Sequence, residues 1–228
     1  LNKNASLEAN YTLQFANATG SNTSTQAALI NAGQPNLRTL QPTNQDVRHN
    51  FIVSMDYRFA GGDYYNGPVL GNGNKILQNS GINFVASATS GRPYTGQANV
   101  TQAVAFGVQQ RSTIDGSVNG NRYPWLFNVN MRIDKSFMLK PGGEGSRGNS
   151  LQVYLWVQNL FNTRNIVGLY RYTGLPDDDG WLTSAEGQQA MLSTTDVQSY
   201  QDLYSVKMQN PSNYTRPRLV RLGAVFSF

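Results

Sequence analysis

Arg218-Leu-Val-Arg-Leu-Gly-Ala-Val-Phe-Ser-Phe228 is the stretch from which the rest of the chain can be read. Val220, Leu222, Ala224, Phe226 and Phe228 share one parity. Successive side chains of a strand point to opposite faces, so this period buries one whole face in something apolar. At the margin of a soluble sheet, such a strand would be a bare hydrophobic edge that templates aggregation. In a transmembrane β-barrel it is the pattern that the lipid demands.

Five further segments alternate in the same way. From Ala5 to Asn17, Ala5, Leu7, Ala9, Tyr11, Leu13 and Phe15 oppose Ser6, Glu8, Asn10, Thr12 and Gln14. From Val47 to Phe59, Phe51, Val53, Met55, Tyr57 and Phe59 oppose Arg48, Asn50, Ser54, Asp56 and Arg58, with Ile52 out of pattern. Gly81 to Gly91 sets Ile82, Phe84, Ala86 and Ala88 against Asn83, Ser87 and Thr89. Trp125 to Phe137 sets Trp125, Phe127, Val129, Met131 and Ile133 against Asn128, Asn130, Arg132, Asp134 and Ser136. Leu151 to Asn159 sets Leu151, Val153, Leu155 and Val157 against Gln152, Tyr154, Trp156 and Gln158. The period predicts six antiparallel strands near residues 5–17, 47–59, 78–94, 125–138, 150–164 and 218–228.

The polar faces carry Glu8, Asn50, Asp56, Arg58, Asn130, Arg132 and Asp134. A watery or plugged lumen tolerates these groups and a packed sandwich core does not. A soluble sheet with its polar face in bulk water would show the same alternation. Connection lengths favour the barrel. Residues 19–46, 96–124 and 168–217 are long, whereas 60–74 and 140–150 are shorter and rich in Gly and Asn. Up-and-down barrels alternate long outer loops with short periplasmic turns. Tyr57, Phe59, Tyr64, Tyr65, Trp125 and Phe137 cluster near strand ends, as interfacial girdles do. The expected fold is therefore an all-β, antiparallel, up-and-down transmembrane barrel.

Composition agrees. Only 14% of the 228 residues are charged, against about 25% in ordinary soluble domains. At 39% hydrophobic residues, no run approaches the ~18 apolar residues of a helical span. With no cysteine, disulfides, thiolate metal sites and cysteine nucleophiles are excluded. The net charge is +5, but the basic residues are scattered, which argues against a nucleic-acid partner. The first residue is Leu1, and the chain begins almost directly in a strand. It reads as the C-terminal portion, residues 1–228, of a longer barrel domain.

The last connection has its own signals. Thr183-Ser-Ala-Glu186 reads as a capping box before a short helix near 184–192, and Asp196 to Met208 as a second helix stopped by Pro211. Asp177, Asp178 and Asp179 in Pro176-Asp-Asp-Asp-Gly180 could hold calcium. They lack the spacing and distal Glu of a helix-loop-helix calcium site, so a solvated turn is the favoured reading. No cofactor is expected.

At this point particular motifs match a family. They are Asp46-Val-Arg-His-Asn-Phe51, Thr89-Ser-Gly-Arg-Pro-Tyr-Thr95, Asn121-Arg-Tyr-Pro-Trp125, Arg132-Ile-Asp-Lys-Ser-Phe137 and Leu151-Gln-Val-Tyr-Leu-Trp-Val-Gln-Asn-Leu-Phe-Asn162. Thr173-Gly-Leu-Pro-Asp-Asp-Asp-Gly180 and Tyr214-Thr-Arg-Pro-Arg-Leu-Val-Arg-Leu-Gly223 follow. Together they resemble the C-terminal barrel of TonB-dependent outer-membrane transporters, particularly Oar-like receptors of Bacteroidota. The Asn-Leu-Phe-Asn element at 159–162 and the terminal Phe228 are the most specific.

The resemblance implies a 22-stranded barrel of which this chain supplies about the last six strands. It implies an N-terminal plug and a TonB-contacting segment outside this chain, insertion by the barrel-assembly machinery, and Phe226 and Phe228 as an assembly signal. Loops would lie outside the cell and the C-terminus in the periplasm. Family members take up siderophores, a vitamin, glycans or peptides, and some Oar-like members work in surface assembly or secretion. A surface lipoprotein or secretion partner is compatible with this. A passive porin or surface adhesin is the alternative, and a soluble β-sandwich binding module a further one. A barrel enzyme would need a base set against Ser or Asp. The sole histidine, His49, shares parity with Phe51, opposite to Ser54 and Asp56, so no catalytic residue is assigned.

Overall fold

The alternating segments form six long strands. These are β1 (Ala5–Leu13), β2 (His49–Arg58), β3 (Ser80–Thr89), β4 (Leu126–Lys140), β5 (Asn149–Gln158) and β6 (Leu219–Ser227). They make one antiparallel sheet in chain order, a simple meander with β1 and β6 at its edges. These assignments come from a computed structural model describing residues 4–22, 24–31, 33, 35, 39–101, 112–140 and 148–228.

Register carries the alternation across the whole sheet. Leu7, Met55, Phe84, Met131, Val157 and Val220 pair in one continuous row over all six strands. The next row on that face runs Ala5, Tyr57, Ile82, Ile133, Leu155 and Leu222. On the opposite face, Ser6, Asp56, Asn83, Arg132, Trp156 and Arg221 form a row. A slip of one residue in any strand would exchange its two faces, so agreement over six strands pins every register.

Strand ends differ from the sequence expectation, each for a local reason. The first strand stops at Leu13 rather than reaching residue 17, and Asn17–Ala18 pairs separately with Gln41–Pro42. The third starts at Ser80, because 76–79 form a turn that closes with Asn79 at φ 54. It ends at Thr89, and Pro93–Tyr94 instead pairs with Asn121–Arg122. The fifth ends at Gln158 rather than 164, because Asn159 and Asn162 adopt φ 53 and 54. Asparagine is among the few residues that tolerate this left-handed region. The Asn159 amide then donates to the carbonyls of Thr163 and Arg216 at 3.1 Å each. Asn-Leu-Phe-Asn is thus a turn whose first side chain ties the end of β5 to the approach of β6.

Strand direction sends connections 14–48, 90–125 and 159–218 to one end of the sheet. Connection 59–79 lies at the other, with Phe228, the end of β4 and the start of β5; residues 141–147 fall outside the described residues. The 59–79 connection is longer than the 60–74 segment expected and contains a 3-10 turn at Gly62–Tyr64.

Among the described residues, three α-helices decorate the long-connection end. α1 (Thr25–Asn31) was not expected. α2 (Ala185–Leu192) and α3 (Val197–Met208) occupy the two segments foreseen. The expected capping box is displaced by one residue. Ser184, not Thr183, caps α2 by accepting from the Gly187 N–H at 3.0 Å, while the Thr183 hydroxyl turns back to the Gly180 carbonyl. Gly187 takes the position that a box would give to Glu, and a Cβ there would lie 1.9 Å from the Trp181 carbonyl oxygen.

Candidate functional site

Two regions hold the chemistry, the polar face of the sheet and the long-connection end. Every polar-face residue singled out from sequence shares one face in the register. Glu8 opposes Ser54 and accepts from Asn10; Asn50 accepts from the Thr89 hydroxyl at 3.0 Å. Asn130 accepts from the Asn159 N–H at 3.0 Å, closing the β5 turn from the neighbouring strand.

Asp56, Arg58, Arg132 and Asp134 fall in two adjacent rows. Arg58 on β2 reaches over β3 to Asp134 on β4 with two parallel hydrogen bonds of 2.9 and 3.1 Å. Gly81 sits between them in the same row, and a Cβ there would lie 2.7 Å from the Arg58 guanidinium carbon. The glycine therefore provides the channel through which the guanidinium crosses a strand. Asp134 is buried and also accepts from Gln152 at 3.1 Å, while Asp56 flanks Arg58 at 3.5 Å. Two-point guanidinium–carboxylate geometry of this kind is the strong class of ion pair. Arg132 lies over the Tyr154 ring at 4.5 Å and Arg221 over Trp156 at 5.4 Å. Gly223, paired with Tyr154, leaves room for that ring: a Cβ would meet it at 2.4 Å. The face is a cross-linked wall, and its charges brace one strand against the next.

His49 lies on the apolar face. It stacks between Tyr11 and Trp125, with centroids 6.2 and 5.9 Å away, and its Nδ1 meets the Tyr11 hydroxyl at 2.9 Å. Phe51 and Phe127 extend this aromatic cluster, and Ser54 and Asp56 stand on the opposite side of the sheet.

The acidic run of the last connection is structural. Asp178 accepts from the Gly180 N–H at 2.8 Å. Asp179, buried, accepts from the Trp181 N–H at 3.0 Å and from the Tyr204 hydroxyl of α3. Asp177 is exposed. Among the described residues no group of three acidic or histidine side chains could hold a metal ion.

At the long-connection end, Arg48 and Arg122 meet on the Asp46 carboxylate, and Arg122 links it to Gly91. Asp46 is fully buried. Its Oδ1 accepts from the Ala16 N–H at 3.0 Å, and its Oδ2 from Arg48 at 3.3 Å and from Arg122. Arg122 also donates to the carbonyls of Asp46 and Gly91, at 2.8 and 3.2 Å. Gly91 cannot be replaced without backbone movement, since a Cβ would lie 1.6 Å from the Tyr123 carbonyl oxygen. This clamp holds connections 14–48 and 90–125 together above the sheet. Asn119, at φ 56, adds a second tie: its amide donates to Ser21 at 3.1 Å and to the Pro42 carbonyl at 2.7 Å. Neither tie was read from sequence. The available signal was that Asp46 is the sole acid in residues 14–48.

Burial pushes the Asp46 carboxyl up, but the Ala16 N–H and the Arg122 and Arg48 guanidiniums outweigh it and leave it below its ordinary value. A depressed folded value means the clamp contributes fully above about pH 4, the unfolded carboxyl's range, and loses its contribution as pH falls through the folded value. Cleavage of connection 14–48 by an acid-active protease should therefore accelerate below about pH 4. Asp46→Asn should flatten that profile. An unchanged profile would show that the clamp does not hold the connection.

Beside the clamp and the Asn119 tie lies a half-open cavity of about 800 Å³, to which all three long connections contribute. Leu126, the first polar-side residue of β4, also lines it, so the cavity is continuous with the polar face. Tyr94 and Tyr123 meet edge-on at 5.2 Å in its wall. Burial, with Tyr123 beside it, raises the Tyr94 phenol above its ordinary value, so it remains a hydrogen-bond donor at neutral pH. Compared with protein-family models, with curated proteins and with solved structures, the chain finds no match.

Proposed function

We propose that residues 1–228 form a section of wall, with its outer loops, of an outer-membrane β-barrel of the TonB-dependent transporter type. The observation that carries this reading is the apolar face of the sheet. Leu7 is 53% exposed, Phe127 51%, Val220 56% and Leu222 78%, in a sheet whose strands are fully registered. A soluble protein seldom leaves large apolar side chains open to water along four strands of one sheet face; a lipid-facing surface requires them.

Other features support the same reading. The strands run from 9 to 15 residues, and about 9–11 tilted residues cross a bilayer. The Tyr11–His49–Trp125–Phe127 cluster sits where the apolar band meets the long-connection end, the place of an interfacial girdle. Long connections at one end and shorter ones at the other match outer loops and periplasmic turns. In this frame the polar face looks into the lumen. The free edges of β1 and β6 pair with strands outside this chain, within the barrel of about 22 strands that the motif resemblance implies. The loop-end cavity receives solute from outside. A plug domain and its energy coupling would lie elsewhere in the full-length protein.

The test is fractionation of the full-length protein with a spin-label scan along β4. The reading expects recovery in the outer membrane, dependence on detergent, and labels at 129, 131 and 133 quenched by a lipid-soluble relaxant. Labels at 128, 130 and 132 should respond to a water-soluble one. A soluble monomer, or the two label sets exchanged, overturns it.

A further inference from the structure

The loop-end cavity is short of negative charge. Residues 14–48 and 90–125 contain only two acids, Asp46 and Asp115. Asp46 is consumed by the clamp with Arg122 and Arg48, and Asp115 does not line the cavity. The acids of the third connection lie in its acidic turn and on its helices, away from the cavity wall. Among the described residues the charged ones that line it are Arg92 and Arg171, both exposed.

These two guanidiniums make no ion pair or hydrogen bond with any described residue, and the hydroxyls of Tyr94 and Tyr123 make no hydrogen bond with one. Their backbones, by contrast, are fixed. The Arg171 carbonyl accepts from the Gln97 N–H at 3.1 Å, and the Arg92 carbonyl accepts from Tyr123 N–H at 2.9 Å. Two uncommitted cations, two uncommitted phenols and two aromatic rings thus line one half-open cavity.

We propose that this cavity binds a carboxylate-bearing saccharide, a sugar acid or acidic oligosaccharide; this deepens the outer-membrane reading by naming the solute class. The guanidiniums meet the carboxylates, which accept charge-assisted hydrogen bonds. The phenols meet ring hydroxyls, which both donate and accept. The Tyr faces pack against the C–H side of a pyranose ring. An acidic peptide shares the carboxylates but offers no set of ring hydroxyls and no pyranose C–H face to the two phenols, and it is the competing ligand of the test.

The test is calorimetric titration of the full-length protein in detergent with trigalacturonate, the neutral trisaccharide maltotriose and triglutamate. Arg92→Gln and Arg171→Gln are compared with Lys207→Gln, a control on α3 that does not line the cavity. Trigalacturonate should bind, weaken at least about tenfold in each arginine variant, weaken with added salt as screening requires, and be unaffected by Lys207→Gln. Maltotriose binding as tightly as trigalacturonate overturns the inference, as does equal or tighter binding of triglutamate, which would assign the site to peptides. Absence of trigalacturonate binding by a protein recovered from the outer membrane overturns the inference and leaves the membrane reading standing. A water-soluble protein that still binds trigalacturonate supports the inference and overturns the membrane reading.

Discussion

Arg122→Ala should destabilise the long-connection end by about 3 kcal/mol while leaving the six-stranded sheet intact. Removing one partner of a buried ion pair typically costs about 3–5 kcal/mol, because the remaining charge is stranded away from water. Asp46 is completely buried, so it falls in that class. It keeps the Ala16 N–H and Arg48, whose side chain is 39% exposed at 3.3 Å, and this places the cost at the low end. Arg122 also bridges to the Gly91 carbonyl, so its loss frees connection 90–125 from connection 14–48. Arg122→Lys retains the charge but not the planar fork, and should recover only part of the loss. Urea unfolding of the full-length protein in micelles measures the stability, and proteolysis of the two connections locates the change. A loss below about 1 kcal/mol would place Asp46 in the class of solvated surface pairs, against its burial.

On the proposed outer-membrane reading, Val129→Arg should cost about 2–4 kcal/mol, the range for a basic side chain on a lipid face near mid-bilayer. Val129 lies in the row Ala9–Val53–Ala86–Val129, midway along the apolar face. Asn130→Arg, one residue on, turns its side chain to the polar face and meets no lipid. Its cost should be about 1 kcal/mol, from the lost hydrogen bond to the Asn159 N–H. Reversible unfolding in lipid vesicles compares the two. Equal costs, or the larger one at Asn130, would refute the assignment of the apolar face to lipid.

The same alternation made the sheet legible from the chain. A period of two in Leu7, Val53, Phe84, Val129, Leu155 and Leu222 is a one-dimensional signal. It survives without tertiary context because each strand must present one apolar face along its length. The faces of Glu8, Asn50, Asp56, Arg58, Asn130, Arg132 and Asp134 followed from it, and the register reproduces them. Helices α2 and α3 were visible because capping is chemistry within a few residues. The misplacement of the α2 cap by one residue shows the limit, since Thr183 and Ser184 are equally good caps and only the fold around Gly180 and Trp181 distinguishes them.

Strand ends and the loop-end site belong to a different class of information. The strand at 150–164 was read too long because Asn159 and Asn162 could extend a polar face as easily as they could turn; their positive φ is settled by partners at Thr163 and Arg216. Residues 78–79 looked like the start of a strand until Asn79 closed the preceding turn. The motifs around Asp46, Gly91 and Arg122 carry no local signal of the contacts between them.

By itself, then, the sequence determined a chain of alternating strands, which face of each is apolar, and the low charge that suits such a surface. These are properties of residue order along one strand. Tertiary structure alone decided that Arg58 crosses Gly81 to reach Asp134, that Asp46 is buried under Arg122, and that Arg92 and Arg171 share a cavity with Tyr94 and Tyr123. The Asp46–Arg122 and Arg58–Asp134 contacts each span 76 positions. No local period encodes a separation of that size. It is set only when six registers add up across the sheet and bring three long connections to the same end.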